Sequence, residues 1–251
     1  MKKFWKKTSL FLVTAAMTVS APLMAWALEH DIVILHTNDI HCGINDNIGF
    51  AGLAQIKKDA LARTPNVALV DAGDAIQGAP IGKLSRGLAV VDIMNYLGYD
   101  FCIPGNHEFD YGMDRFLELV PLQRAGYYCA NFVYAGNNKQ VLPGYKIMQY
   151  EDTKVAFVGA STPESLTTST PTFFQNEKGK YIYSFCEDKT GNKLYKQLQK
   201  NVDKARKDGA DYVFIVGHLG MDGTTPQWSS ESVAKNTQGV DAVIDGHSHE
   251  R

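Results

Sequence analysis

Short apolar runs alternate along this chain with stretches in which apolar residues recur every three or four positions. Residues 31–35 (DIVIL), 67–70, 100–103, 127–132, 155–159, 212–216 and 240–244 are runs of the first kind, the pattern of strands buried on both faces. Residues 52–63 place Leu53, Ile56, Ala60 and Leu61 on one helical face and stop at Pro65. Residues 88–97 end at Gly98, a natural helix stop, and residues 113–124 read as a helix with an irregularity at Pro121. Residues 193–207 form a basic, amphipathic helix whose charges read as a solvated face, and residues 163–180, rich in Thr, Ser, Pro and Gly, read as a long surface loop. A loop of that length in a compact domain is more often functional than idle. The alternation predicts an α/β fold whose sheet strands are covered by helices.

Composition narrows the class. The 251 residues are 45% hydrophobic and 21% charged, which excludes disordered and collagen-like chains and suits one large domain. The formal charge is −2, with no basic block beyond the first few residues, so a nucleic-acid polymer is not an expected partner.

The N-terminus is the exception to this globular balance. Lys2, Lys3, Lys6 and Lys7 precede an apolar stretch over residues 10–19, and Ala25-Trp26-Ala27 has the small-x-small form of a signal cleavage site. Residues 1–27 are therefore read as a signal peptide, and residues 28–251 as an exported catalytic domain, periplasmic, secreted or at the cell surface. Contact with the membrane is then transient, through the signal alone. Removing four lysines and no acid leaves 21 Lys+Arg against 27 Asp+Glu, a charge of −6. Export permits disulfides, but Cys42, Cys102, Cys129 and Cys186 match no zinc or C-x-x-C spacing, and are read as buried hydrophobes or free thiols.

Chemistry concentrates where strands end. Asp39 and His41, Asp74, Asn106 and His107, His218, then His247 and His249 follow five separate apolar runs, and five of the seven histidines fall in these turns. Loops at the carboxyl ends of α/β strands converge on one crevice. Residues two apart on an extended segment point the same way, so Asp39-x-His41 and His247-x-His249 can each aim two ligands together. The glycines at 73, 105, 217 and 246 let backbone pass close to an ion. Oxygen and imidazole donors without required thiolates suit Mn, Zn, Fe or Co, and six or seven of them serve two ions.

The blocks Ile34-Leu35-His36-Thr37-Asn38-Asp39-Ile40-His41, Asp71-Ala72-Gly73-Asp74, Gly105-Asn106-His107-Glu108-Phe109-Asp110, Gly217-His218 and Gly246-His247-Ser248-His249 stand in order across the chain. Together they resemble the calcineurin-like metallophosphoesterases, most closely the bacterial exported 5'-nucleotidase and UDP-sugar hydrolase branch. The resemblance implies a layered α/β/β/α sandwich with metal ligands at the strand carboxyl ends. It implies that Asp39, His41 and His249 hold a first divalent ion, that Asn106, His218 and His247 hold a second, and that Asp74 bridges them. It further implies in-line attack on phosphorus by a metal-bridging hydroxide, with His107 stabilising or protonating the departing oxygen and Asp110 orienting His107. The expected substrate is a small phosphoester, a nucleotide or UDP-sugar. The alternatives are a 2',3'-cyclic-nucleotide phosphodiesterase and a non-catalytic, metal-dependent phosphate-binding module.

Two departures from the family pattern qualify these expectations. Cys42 stands beside His41 where a small residue is usual, placing a thiol next to a ligand. The chain also stops at Arg251, so the second domain that supplies base-stacking aromatics in the nucleotidase branch is expected to be absent, and His247 and His249 are expected to be loosely held.

Overall fold

A computed structural model describes residues 31–221 and 225–249. The signal-peptide reading of residues 1–27 lies outside the described residues.

Two sheets carry the site. The first is all parallel, in the order β1 (Val33–Thr37), β2 (Val67–Asp71), β3 (Phe101–Cys102). Helix α1 (Gly49–Leu61) crosses from β1 to β2, and α2 (Pro80–Ser85) and α3 (Leu88–Leu97) cross from β2 to β3. Helix α4 (Met113–Leu119) follows β3 and runs into a 3-10 turn at Val120–Leu122, so the expected irregularity at Pro121 is where the helix tightens and ends. A short antiparallel pair, β4 (Val133–Tyr134) with β7 (Tyr183–Ser184), stands apart.

The second sheet has the order β5 (Tyr145–Tyr150), β6 (Thr153–Ser161), β8 (Tyr212–His218), β9 (Ala242–Ile244). Here β5 and β6 form an antiparallel hairpin, while β6, β8 and β9 run parallel. Helices α6 (Asn192–Lys207) and α7 (Ser230–Asn236) make the two crossovers, as parallel neighbours require.

Side-chain alternation along the buried strands separates three cores. In β2, Leu69 joins Val90, Met94 and Phe116 in the core under α1, α3 and α4, while Ala68 and Val70 face the other sheet. In β6, Val155 and Phe157 meet Ala68, Val70 and Phe101 between the sheets, whereas Ala156, Val158 and Ala160 pack against Leu194, Leu198 and Val202 of α6. Each sheet is thus covered by helices on one face and by the other sheet on its opposite face, the α/β/β/α sandwich that the resemblance implies.

Two expectations need correction. Residues 127–132 are not a strand: Tyr127 makes one isolated bridge to Cys102, and pairing resumes only at Val133. Apolar burial alone gave that run its strand-like look, since Tyr127, Cys129, Ala130 and Phe132 are buried without a continuous ladder. Conversely, β5 lay in a stretch of mixed polarity, and its middle positions are half-buried, so the sequence did not mark it. The loop of residues 163–180 contains two short turns of helix, α5 (Ser165–Thr168) and a 3-10 turn at Pro171–Phe174.

Candidate metal centre

Strand register levels the carboxyl ends of both sheets. Thr37 pairs with Asp71, and Ser161 pairs with His218. Ladder-like bonding continues past β1 and β2: Asp39 N donates to Gly73 O at 3.0 Å, His41 N to Asp74 O at 2.9 Å, and Cys42 N to Ala75 O at 3.0 Å. The turns carrying Asp39, His41 and Asp74 are therefore stitched to one another before any side chain is considered.

These turns are bent in an unusual way. Asp39, His41, Cys42, Asp74, His247 and His249 all have positive φ, between 47° and 85°. Left-handed backbone costs non-glycine residues about 1–2 kcal/mol each, and such strain gathers at functional sites. The reason expected for the D-x-H and H-x-H spacings is corrected here. The residues do not project from an extended strand; β1 ends at Thr37 and β9 at Ile244, and left-handed turns aim the side chains. Close approach fixes two glycines nearby. A Cβ on Gly73 would lie 2.6 Å from Gly105 N, and one on Gly105 would overlap Asp74 Oδ1.

Two sets of donor atoms result. In one, Asp39, His41 and His249 bring a carboxylate oxygen and two ring nitrogens within 4.8 Å of one another; in the other, Asp74, His218 and His247 do the same. The sets adjoin: Asp74 Oδ2 lies 3.0 Å from His218 Nε2 and 3.9 Å from His41 Nε2, and Asp39 Oδ1 lies 3.4 Å from His249 Nε2 and 3.9 Å from His218 Nε2. His218 is fully buried and donates from Nδ1 to Ala72 O at 2.8 Å, which turns Nε2 toward the carboxylates.

The donor set fits divalent metal. Asn106 Oδ1 is buried and has no hydrogen-bond partner among the described residues, a costly condition for a polar atom unless a ligand completes it. Charge points the same way. Burial alone would raise the Asp74 carboxyl, but the His218 imidazole beside it holds it low, and His218 is in turn held well above the ordinary histidine range by Asp74 and Asp39. A cation bound between these groups would balance the same carboxylates.

His107 sits beside this centre. Its backbone N donates to Asp74 Oδ1 at 2.8 Å, and its ring meets that of His41 edge-on at 5.2 Å between centroids. Nδ1 lies 2.6 Å from Asp110 Oδ2. That hydrogen bond, first, and the nearby Asp74 charge raise the His107 pKa against the opposing effect of partial burial. Beyond Asp110 opens a polar cavity of about 560 Å³, lined in part by Tyr111, Lys83 and Ser169.

With this geometry in place, comparison with known proteins is decisive. Residues 32–251 match the calcineurin-like phosphoesterase family. The chain belongs to that family. The snake venom 5'-nucleotidase of Gloydius brevicauda is 29% identical over 96% of the chain, and the 2',3'-cyclic-nucleotide 2'-phosphodiesterase/3'-nucleotidase of Haemophilus influenzae is 27% identical over 94%. The chain spans 40% and 39% of those two proteins. The crystal structure of the calcineurin-like phosphoesterase YfkN from Bacillus subtilis superposes with a TM-score of 0.74 at 25% identity, covering 87% of this chain and 72% of that one.

In this family member the contacts above join eight of the nine singled-out residues, Asp39, His41, Asp74, His107, Asp110, His218, His247 and His249, and the ninth, Asn106, lies buried next to His107 at the start of the same turn. The tail is held more firmly than expected. His247 N donates to Asp39 Oδ2 at 3.0 Å, and Gly220 N donates to Gly246 O at 3.1 Å, although the His249 side chain is 60% exposed. The Cys42 thiol beside His41 is buried, and burial, with Glu108 nearby, pushes it up to about 12. All four cysteines are free and buried.

Glu108 is the main residue whose role the sequence did not reveal, although it lies inside the third motif block. Its buried carboxylate accepts from Asp74 N and Ala75 N at 2.8 Å, Gly105 N at 2.6 Å and Ile76 N at 3.3 Å, tying the turn after β2 to the turn after β3. Glu108→Ala strands these donors and should cost about 3–5 kcal/mol of stability. Urea unfolding checks this; a loss below about 1 kcal/mol would mean that the turns hold without it.

Asp71, buried at the end of β2, offers a pH test. Burial, and next the charge of Glu108, raise its carboxyl to about 8, while donors from Thr37 and Gly73 oppose the rise. A carboxyl raised in the folded state favours folding fully below its unfolded pKa, and that advantage is lost as pH rises through the folded value. Metal-free protein should therefore lose stability between about pH 4 and about pH 8, and Asp71→Asn should flatten that slope in melting curves, whatever its effect on absolute Tm. An unchanged slope would show that Asp71 is already ionised across this range.

Proposed function

We propose that this domain is a dinuclear, exported phosphoester hydrolase acting on nucleotides as a 5'-nucleotidase. The observation that carries the reading is the adjacency of two donor sets, joined at Asp74, to a hydrogen-bonded His107–Asp110 pair. Asp39, His41 and His249 would hold one ion, Asn106, His218 and His247 the other, and Asp74 both. When bound, two divalent ions polarise phosphoryl oxygens and lower the pKa of coordinated water. Asn106 contributes a neutral donor, so the ligand set carries only the two carboxylate charges of Asp39 and Asp74 and leaves a positive excess for an anionic phosphoryl group.

His107 acts on the other side of the scissile bond. Asp110 accepts from Nδ1, which orients the ring and favours the imidazolium; Nε2 then delivers a proton to the departing oxygen. A module that merely bound phosphate would have no use for that pair, which speaks for turnover.

Export is supported by the charge and apolar pattern of residues 1–27. A second substrate reading, 2',3'-cyclic nucleotides, is favoured by the Haemophilus influenzae relative. Side-by-side assays of AMP, UDP-glucose and 2',3'-cyclic AMP with Mn separate the two. Preference for AMP supports a 5'-nucleotidase, preference for the cyclic diester replaces it with the second reading, and no turnover of any of them contradicts both.

A further inference from the structure

The segment after β6 lies outside every motif block, yet it touches both halves of the site. Glu164 Oε2 lies 3.5 Å from His247 Nε2, and Ser169 Oγ donates to Asp110 Oδ1 at 3.0 Å. Asp110 therefore divides its two oxygens: Oδ2 meets His107 Nδ1 at 2.6 Å, and Oδ1 accepts from Ser169. A carboxylate free to rotate about its last torsion would present either oxygen, or neither, to the imidazole. A donor on the far oxygen fixes its plane.

Ser169 is itself fixed. It is buried, and its backbone N donates to Ser165 O at 3.3 Å at the end of the short helix α5. That helix is in turn anchored by Ser165 Oγ donating to Thr162 O at 2.8 Å, directly after β6. The hydroxyl is thus held from the second sheet while the dyad it contacts hangs from the first.

We infer that Ser169 is a positioning residue for the reaction, setting the plane of the Asp110 carboxylate so that His107 is aimed at the departing oxygen. This rests on the role given to His107 under the proposed function. It does not follow from that role, because the dyad could equally have been oriented by solvent.

The test uses Ser169→Ala and the hydroxyl-retaining Ser169→Thr, each in the native and the His107→Ala background. With AMP, whose ribose oxygen needs a proton on leaving, Ser169→Ala should lower kcat roughly 10-fold with little change in KM. With p-nitrophenyl phosphate, whose leaving group departs as a stable anion, the loss should stay below about 3-fold. Ser169→Thr should restore most of the AMP rate, and Ser169→Ala should add nothing once His107 is gone. Equal losses on both substrates, or an undiminished effect in the His107→Ala background, would mean that Ser169 only shapes the loop.

A readout independent of turnover is the His107 Nδ1 proton in NMR spectra of selectively labelled protein. It should exchange slowly in the native chain and in Ser169→Thr, and broaden in Ser169→Ala; an unchanged signal in Ser169→Ala overturns the inference. Wild-type activity in His107→Ala would instead overturn the role of the dyad, leaving the NMR comparison to decide on Ser169.

Discussion

His107→Ala should lower turnover by about 10²–10⁴-fold while leaving metal content at the native level. The size is that of a positioned acid, and the structure gives His107 what an acid needs. Asp110 Oδ2 at 2.6 Å orients the ring and raises its pKa, and the backbone bond to Asp74 Oδ1 places it against the candidate metal centre. Its side chain belongs to neither donor set, so removing it need not disturb ion binding. The measurement is kcat on AMP together with metal analysis of the same sample. Near-native kcat would make His107 a structural residue, and a parallel loss of metal would make it a ligand.

Asp74→Ala should be more damaging, because it removes both ions together. Asp74 Oδ2 faces His218 at 3.0 Å and His41 at 3.9 Å, one histidine from each donor set. Removing even an outer partner of a ligand weakens metal binding about 10–100-fold, so loss of a shared ligand should exceed that for both sites. Alanine also fits poorly at φ 59°, so Asp74→Asn, which tolerates left-handed backbone, is the better control for folding. Isothermal titration with Mn should show neither high-affinity event in either variant. Retention of one ion at native affinity would show that Asp74 serves a single site.

Much of this centre was legible from residue types and order. Metal donors after five apolar runs announced a crevice at the strand ends, and the parallel registers Thr37 with Asp71 and Ser161 with His218 put them there. What could not be read was the local geometry. The side chains of the D-x-H and H-x-H blocks are aimed by left-handed turns, and sequence spacing looks the same for a turn as for a strand. Glu108 was visible as part of a motif, but its function is to accept backbone N–H groups, and backbone leaves no mark in the residue string. Ser169 and Glu164 lay in a loop of Thr, Ser and Pro whose length suggested function. Their contacts depend on how α5 folds back, a tertiary effect that local pattern does not encode.

The strand expected at residues 127–132 failed for a related reason. Burial selects apolar residues whether or not the backbone pairs, and here only Tyr127 bridges to β3 before the chain turns toward β4. The overlooked β5 is the converse case, since it pairs fully with β6 while remaining half-exposed along most of its length.

Two metal ions sharing Asp74 are the core of the proposed centre, and stoichiometry tests that most directly. Purified protein stripped with chelator, saturated with Mn and freed of excess should be analysed for metal and protein in the same sample. Two ions per chain are predicted, from Asp39, His41 and His249 on one side and Asn106, His218 and His247 on the other; one ion per chain, or none, would contradict a dinuclear centre.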